Sequence, residues 1–177
     1  MCVMTGVALV VVSGLPGTGK SMFADALAER MDTVHLSRDQ MALSRRSLMD
    51  MLWERATGRR RDRLASAAGR RLVESAAAVL REGRSVVVEV VGTPDILRPL
   101  MQLAAAEGAT VRSIELICSD PNEHLRRLQS RPGNWSKITV RIARAHVVPD
   151  GALVLDSTRP LDDLVYQAIS LFGKEQV

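Results

Sequence analysis

Gly14-Leu15-Pro16-Gly17-Thr18-Gly19-Lys20-Ser21 fills every fixed position of the pattern G-x-x-x-x-G-K-[ST]. The apolar run Val7–Val12 leads into it, and a helical pattern over Phe23–Arg30 leaves it. Glycines let successive backbone N–H groups turn inward around a phosphate, and the start of a helix adds positive potential. Lys20 can reach the β- and γ-phosphates, while the Ser21 hydroxyl can coordinate Mg²⁺. Gly14, Pro16, Gly17, Thr18, Gly19, Lys20 and Ser21 are therefore the expected ATP-binding residues, and ATP and Mg²⁺ the expected cofactors.

Outward from this loop, short apolar runs alternate with helical patterns, which is the layout of an α/β domain with a parallel sheet. The expected strands are Val7–Ser13, Thr33–Ser37, Ser85–Val91, Val111–Cys118 and Ala152–Asp156. All are short and rich in leucine or β-branched residues, as strands covered on both faces should be. Helix ends carry their own punctuation. Leu64, Ala68, Leu72 and Val79 keep one face of a long helix that stops near Gly83. Pro94 follows Thr93 at a first helical position, and Gly108 closes that helix. Asp120-Pro121-Asn122-Glu123 is an Asp version of a capping box. A last helix from about Pro160 aligns Leu161, Leu164, Val165, Ala168 and Phe172.

The chain has 177 residues, enough for one domain with a substantial core, and no repeat or linker divides it. Only 3% of residues are aromatic, so the core must be built from Val, Leu, Ile, Ala and Met. Cys2 and Cys118 are far apart, which argues against a disulfide framework or a zinc site and fits a reducing compartment. Val7–Val12 is too short to span a bilayer, so the expected location is the cytoplasm, with no membrane partner. Net charge is +4, but ten arginines against four acids between Arg38 and Arg71 give that segment +6. Either a solvated Arg-rich helical surface or an anion-collecting site fits this excess.

Asp39 follows the second strand, on the rim where ligands bind in open α/β sheets. An Asp there can take the proton of an attacking hydroxyl and aim its oxygen at a γ-phosphate. Capping of the following helix is the alternative role.

Gly14–Ser21, Ser37-Arg38-Asp39 and the later arginines together resemble the small P-loop kinases that phosphorylate hydroxyls. That group includes the kinase domain of polynucleotide 5′-kinases, chloramphenicol phosphotransferase and the zeta-toxin kinases. The resemblance implies a three-layer P-loop NTPase fold, a five-stranded parallel sheet of order 2-3-1-4-5 flanked by helices. It also implies that Asp39 is the general base. Polynucleotide kinases carry an arginine a few residues after that acid, where this chain has Ala42. Val86-Val87-Val88-Glu89 ends in an acid at a Walker-B-like position, where related kinases usually have Asp. Glu89 can touch Mg²⁺ through water, hold the acceptor, or serve as a structural carboxylate.

Arg126, Arg127 and Arg131 follow the fourth strand, and a spacing of four predicts a shared helix face for Arg127 and Arg131 before the Pro132-Gly133 break. A guanidinium fork matches phosphate oxygens and stays charged. By resemblance this segment starts a lid over ATP, with Arg131 the phosphate clamp and Arg127 a nucleotide contact. Arg141 and Arg144 share another face. Trp135 is a stacking residue or a buried lid residue, and Met41, Met49 and Met51 read as core filler. His35, His124 and His146 show no ligand spacing.

The expected reaction is transfer of the ATP γ-phosphoryl group to a hydroxyl, with Lys20, Asp39 and Arg131 catalytic and Ser21 and Glu89 at the metal. The stretch Gln40–Arg84 lies where such kinases build the acceptor pocket, and its mixture of Met41, Leu43, Leu48, Met51, Leu52 and Trp53 with arginines suits a sugar, nucleoside or antibiotic. A polynucleotide 5′-hydroxyl is the alternative acceptor, favoured by the arginines and disfavoured by Ala42 and the shortage of aromatics. A nucleotide-dependent regulatory protein that hydrolyses ATP slowly is the alternative of a different class.

Overall fold

Strand β1 (Ala8–Ser13) is buried along its whole length because both of its faces are covered. Its alternating side chains divide the interior in two. Leu9 and Val11 join Val86, Val88, Leu72 and Leu100 in one layer, while Val10 and Val12 join Phe23, Leu27, Val87 and Leu155 in the other. Each fully buried Val or Leu contributes about 1.5–3 kcal/mol. The two layers are therefore where the stability of the fold is concentrated.

The computed structural model describes residues 6–43, 61–131, 139–140 and 142–174; the side chains of residues 39, 42, 43, 61–66, 171, 173 and 174 lie outside the described set. Around β1 run α1 (Lys20–Arg30), β2 (Val34–Ser37), α2 (Arg38–Leu43), α3 (Arg61–Arg81), β3 (Val86–Glu89), α4 (Pro94–Ala106), β4 (Thr110–Ile117), α5 (Pro121–Gln129), β5 (Leu153–Asp156) and α6 (Leu161–Lys174). Each expected strand is present within one or two residues of its expected ends. Val90 still donates to the Val12 carbonyl at 3.0 Å, so the ladder fades beyond Glu89 and does not stop abruptly.

The sheet is five-stranded and parallel, in the order β2-β3-β1-β4-β5 that the resemblance implied. Register sets Val12 beside both Glu89 and Ile114, Ser37 beside Glu89, and Ser13 beside Glu115. One layer is closed by α3 and α4, the other by α1 and α6. The expected helix signals are realised: Asp120 accepts from the backbone N–H groups of Asn122 and Glu123, and Pro94 opens α4 behind Thr93. Met41 packs against the first layer as filler, whereas Met49, Met51 and Trp53 lie outside the described residues. No helix among the described residues is long and apolar enough to cross a membrane.

Candidate functional site at the carboxyl edge of the sheet

The loop between β1 and α1 has the backbone its sequence requires. Gly14 adopts φ +147°, and any side chain there would collide with the Leu116 carbonyl of β4. Gly17 adopts φ +87° with His124 and Leu128 of α5 packed against it, so a methyl group would sit 3.0 Å from each. Both positions accept only glycine without strain. Lys20, nearly buried, donates from Nζ to the Leu15 carbonyl at 2.8 Å, and Thr18 Oγ1 donates to the same carbonyl. Pro16 accepts from His124 Nε2 at 2.7 Å, which ties the loop to α5.

Ser21, exposed on the first turn of α1, donates to Glu89 Oε1 at 2.8 Å. Glu89 stands at the last position of β3 and is only 5% exposed. On its other side, His35 Nε2 of β2 faces Glu89 Oε2 at 3.5 Å, and both atoms are buried without a hydrogen-bond partner among the described residues. His35 Nδ1 meets Asp25 Oδ1 of α1 at 2.6 Å. Burial pushes the Glu89 carboxyl up, but His35, the hydroxyls of Ser21 and Ser37, and the Lys20 charge outweigh it and hold the group below the usual range. Burial likewise disfavours the His35 imidazolium, yet Glu89 and Asp25 outweigh it and the ring is held above its usual value. An ionised Glu89 beside a serine hydroxyl is a hard oxygen donor set, so these residues fit Mg²⁺.

A second buried carboxylate sits on the opposite face of the sheet. Glu115 Oε2 of β4 accepts from Ser13 Oγ at 2.5 Å, and Glu115 Oε1 meets His146 Nε2 at 2.7 Å. The backbone just after that histidine rests on the end of β3. Val147 donates to the Gly92 carbonyl at 2.7 Å, and a methyl group on Gly92 would lie 2.6 Å from the Val147 carbonyl.

Asp39 is the second residue of α2, immediately past β2; its side chain lies outside the described set. The helix begins one residue before it, so Asp39 occupies the first turn and not the cap. Arg38 Nη2 stands 3.9 Å from Asp95 Oδ2, joining the starts of α2 and α4 across a groove of about 330 Å³ that Gly69, Arg70 and Glu74 of α3 also line. A larger cavity of about 540 Å³, lined by Arg98, Arg112 and Phe172, lies at the opposite, amino-terminal edge.

Arg127 reaches the phosphate loop. Its Nη1 and Nη2 donate to Ser157 Oγ and O at 2.9 and 3.1 Å, its Nε to Glu123 at 2.7 Å, and a side chain at Gly19 would approach Nη1 to 3.7 Å. Arg126 instead pairs with Glu123 on the exposed face, and the two guanidiniums pull the Glu123 carboxyl down to about 2. α5 ends at Gln129 with Ser130 as its cap, and Arg131, half-buried, lies just past it, its backbone N–H still donating to the Leu128 carbonyl at 3.4 Å. Trp135 and Arg141 lie outside the described residues, and Arg144 is exposed.

All three histidines that show no spacing signal hold site elements together: His35 faces Glu89, His124 holds Pro16 and His146 holds Glu115. Only strand alternation hints at one of them, since it turns His35 and Ser37 to the same face.

No curated protein matches the chain. Among solved structures it is similar to a sugar kinase from Janibacter sp. (19% identity, 93% of each chain covered, TM-score 0.67). It is similar to a gluconokinase from Sinorhizobium meliloti (18% identity, 95% of this chain and 93% of that one, TM-score 0.69). It is also similar to the Mycobacterium tuberculosis APS kinase in complex with AMPPNP and APS (16% identity, 96% and 99%, TM-score 0.67). At these identities the likeness is one of fold. The family profile described as AAA domain matches residues 9–153, from the start of β1 to the start of β5, and the chain belongs to that P-loop family.

Proposed function

We propose that the protein is an ATP-dependent kinase that transfers the γ-phosphoryl group to a hydroxyl of a small molecule. The observation that carries the reading is the Ser21–Glu89 hydrogen bond. It joins a complete phosphate loop to an ionised carboxylate at the carboxyl edge of the sheet. The kinases among its structural neighbours, sugar kinase and gluconokinase included, support a small hydroxyl acceptor.

Backbone N–H groups of Gly14–Ser21 cradle the phosphates, and Lys20 follows the migrating charge. Ser21 and Glu89 would hold Mg²⁺, which would supply charge neutralisation to the phosphates. Asp39 accepts the proton of the attacking hydroxyl, and Arg131 stabilises the equatorial oxygens as phosphoryl passes. The groove beside Arg38 adjoins Asp39 in sequence and is of a size for one sugar-sized molecule. Positioning and electrostatics supply the rate, with little covalent work asked of the protein.

The test is an ADP-release screen over sugars, sugar acids, nucleosides, aminoglycoside-type and chloramphenicol-type alcohols, and 5′-hydroxyl oligonucleotides, with Lys20→Ala as the inactive control. Acceptor-dependent ADP release with a small alcohol is the expected result. Turnover only with oligonucleotides would move the acceptor to nucleic acid. Phosphate release that ignores every acceptor would make the protein an ATPase and overturn the reading.

A further inference from the structure

A glutamate at the end of β3, where an aspartate would also place a carboxylate, has a mechanical cost. A glutamate carries one more rotatable bond than an aspartate, so its carboxylate sweeps a wider arc unless something fixes it. Two of the groups around Glu89 stand one at each oxygen. Ser21 Oγ donates to Oε1 at 2.8 Å, and His35 Nε2 stands 3.5 Å from Oε2. The imidazole is itself anchored, since Nδ1 lies 2.6 Å from Asp25 Oδ1 and the ring is nearly buried. Asp25, His35, Glu89 and Ser21 thus form one chain that starts on α1, crosses the edge strand β2 and the end of β3, and returns to α1.

We propose that His35 is a positioning residue that, braced by Asp25, fixes the Glu89 carboxylate where Ser21 and the divalent cation need it. The inference rests on the proposed Mg²⁺–nucleotide site and adds to it a residue that would touch neither metal nor nucleotide. Groups that orient a metal-binding carboxylate through hydrogen bonds typically change metal affinity about 10–100-fold when removed. Register sets the arrangement: His35 pairs with Val87, so its ring meets Glu89 on the diagonal, two residues further along β3. An aspartate at position 89 would withdraw its oxygens by one methylene from that ring.

The experiment measures Mn²⁺ affinity of the protein–AMPPNP complex by electron paramagnetic resonance of free Mn²⁺, beside AMPPNP affinity in EDTA by calorimetry. His35→Ala is expected to weaken Mn²⁺ about tenfold or more while metal-free AMPPNP binding stays unchanged. His35→Gln should recover part of the loss, because its amide N–H can still donate toward Oε2. Asp25→Asn, at a position whose side chain is 64% exposed, should shift Mn²⁺ affinity in the same direction by less. It serves as the informative variant if His35→Ala does not fold. In a Glu89→Asp background the effect of His35→Ala should shrink, which is a double-mutant cycle with a coupling term. Wild-type Mn²⁺ affinity in a folded His35→Ala or Asp25→Asn protein, beside a weakened Ser21→Ala, overturns the inference alone. Unchanged Mn²⁺ affinity in Ser21→Ala removes the metal reading itself, and the brace with it.

Discussion

Arg127 and Ser157 are joined by two hydrogen bonds, Nη1 to Oγ at 2.9 Å and Nη2 to the carbonyl at 3.1 Å. Through them α5 is fastened to the turn after β5, with Gly19 of the phosphate loop alongside. Arg127 is thus held in place by its own chain. Arg131, past the Ser130 cap, belongs to the segment beyond the helix.

Arg127→Ala should therefore weaken ATP binding about tenfold, the loss of one charge-assisted hydrogen-bond set, with kcat changed less. Arg131→Ala should do the reverse and lower kcat and kcat/KM together about 10²-fold or more, on the scale of weaker arginine fingers. Arg131→Lys should restore only part. Calorimetry with AMPPNP and rapid-quench measurement of the transfer step separate the two. A variant of Arg131 that raises only the KM for ATP makes it a ground-state contact.

Asp39→Asn keeps size and removes the base. Acceptor-dependent kcat should fall about 10²–10⁴-fold with ATP affinity nearly intact. Steady-state kinetics against calorimetric affinity decides it. If kcat holds, Glu89 is the next base to test.

Acid should loosen the turn after β5. Burial pushes the Asp156 carboxyl up, but hydrogen bonds from the side chains and backbone N–H groups of Ser119 and Thr158 outweigh it and bring the group to about 2. Because the folded value lies below the unfolded one, 3.8, this stabilisation is present above about pH 4. It is lost as pH falls toward 2. Asp156→Asn should be less stable than wild type at pH 7, and the gap should close between pH 4 and 2. Urea unfolding at each pH reads it directly; a gap that stays constant would disprove the link.

Gly92 is required by space and not by backbone conformation, since its φ is not among the positive ones. Gly92→Ala should cost about 1–3 kcal/mol as the Val147 carbonyl is displaced, lowering Tm by several degrees. Gly69→Ala makes the contrast. In the interior of α3, its methyl group would meet the flexible tip of Ile96 at 3.4 Å and Arg38 Nε at 4.0 Å, and removing a helical glycine should add up to about 1 kcal/mol. Thermal denaturation of the two variants, moving in opposite directions, is the check.

What could be read from the chain divides by range. The phosphate loop is local, eight consecutive residues whose spacing is the chemistry, and Asp120 caps a helix three residues away; both were legible. Strand existence followed from apolar runs for the same reason. Strand order came through resemblance, and register could not come at all, because nothing in Val34–Ser37 says which residue of β3 lies beside it. The His35–Glu89 contact depends on that register, and the His146–Glu115 and His124–Pro16 contacts join residues far apart in the chain, so three histidines without mutual spacing concealed their roles. Arg131 lies two residues past the last residue of α5, so the end of that helix, and not spacing alone, sets where it stands.

The central position of β1 bears on how the molecule comes into being. Its two neighbours are β3 and β4, Val86–Glu89 and Thr110–Ile117, while the loop it carries begins at Gly14. During synthesis, which proceeds at about 5–20 residues per second, β1 must wait for both partners to leave the ribosome. The Leu116 carbonyl that seals Gly14 arrives last of these. A motif translated ahead of β3 and β4 thus acquires its shape only after both, and a nascent chain released before β4 could carry every residue of Gly14–Ser21 yet build no phosphate-binding loop.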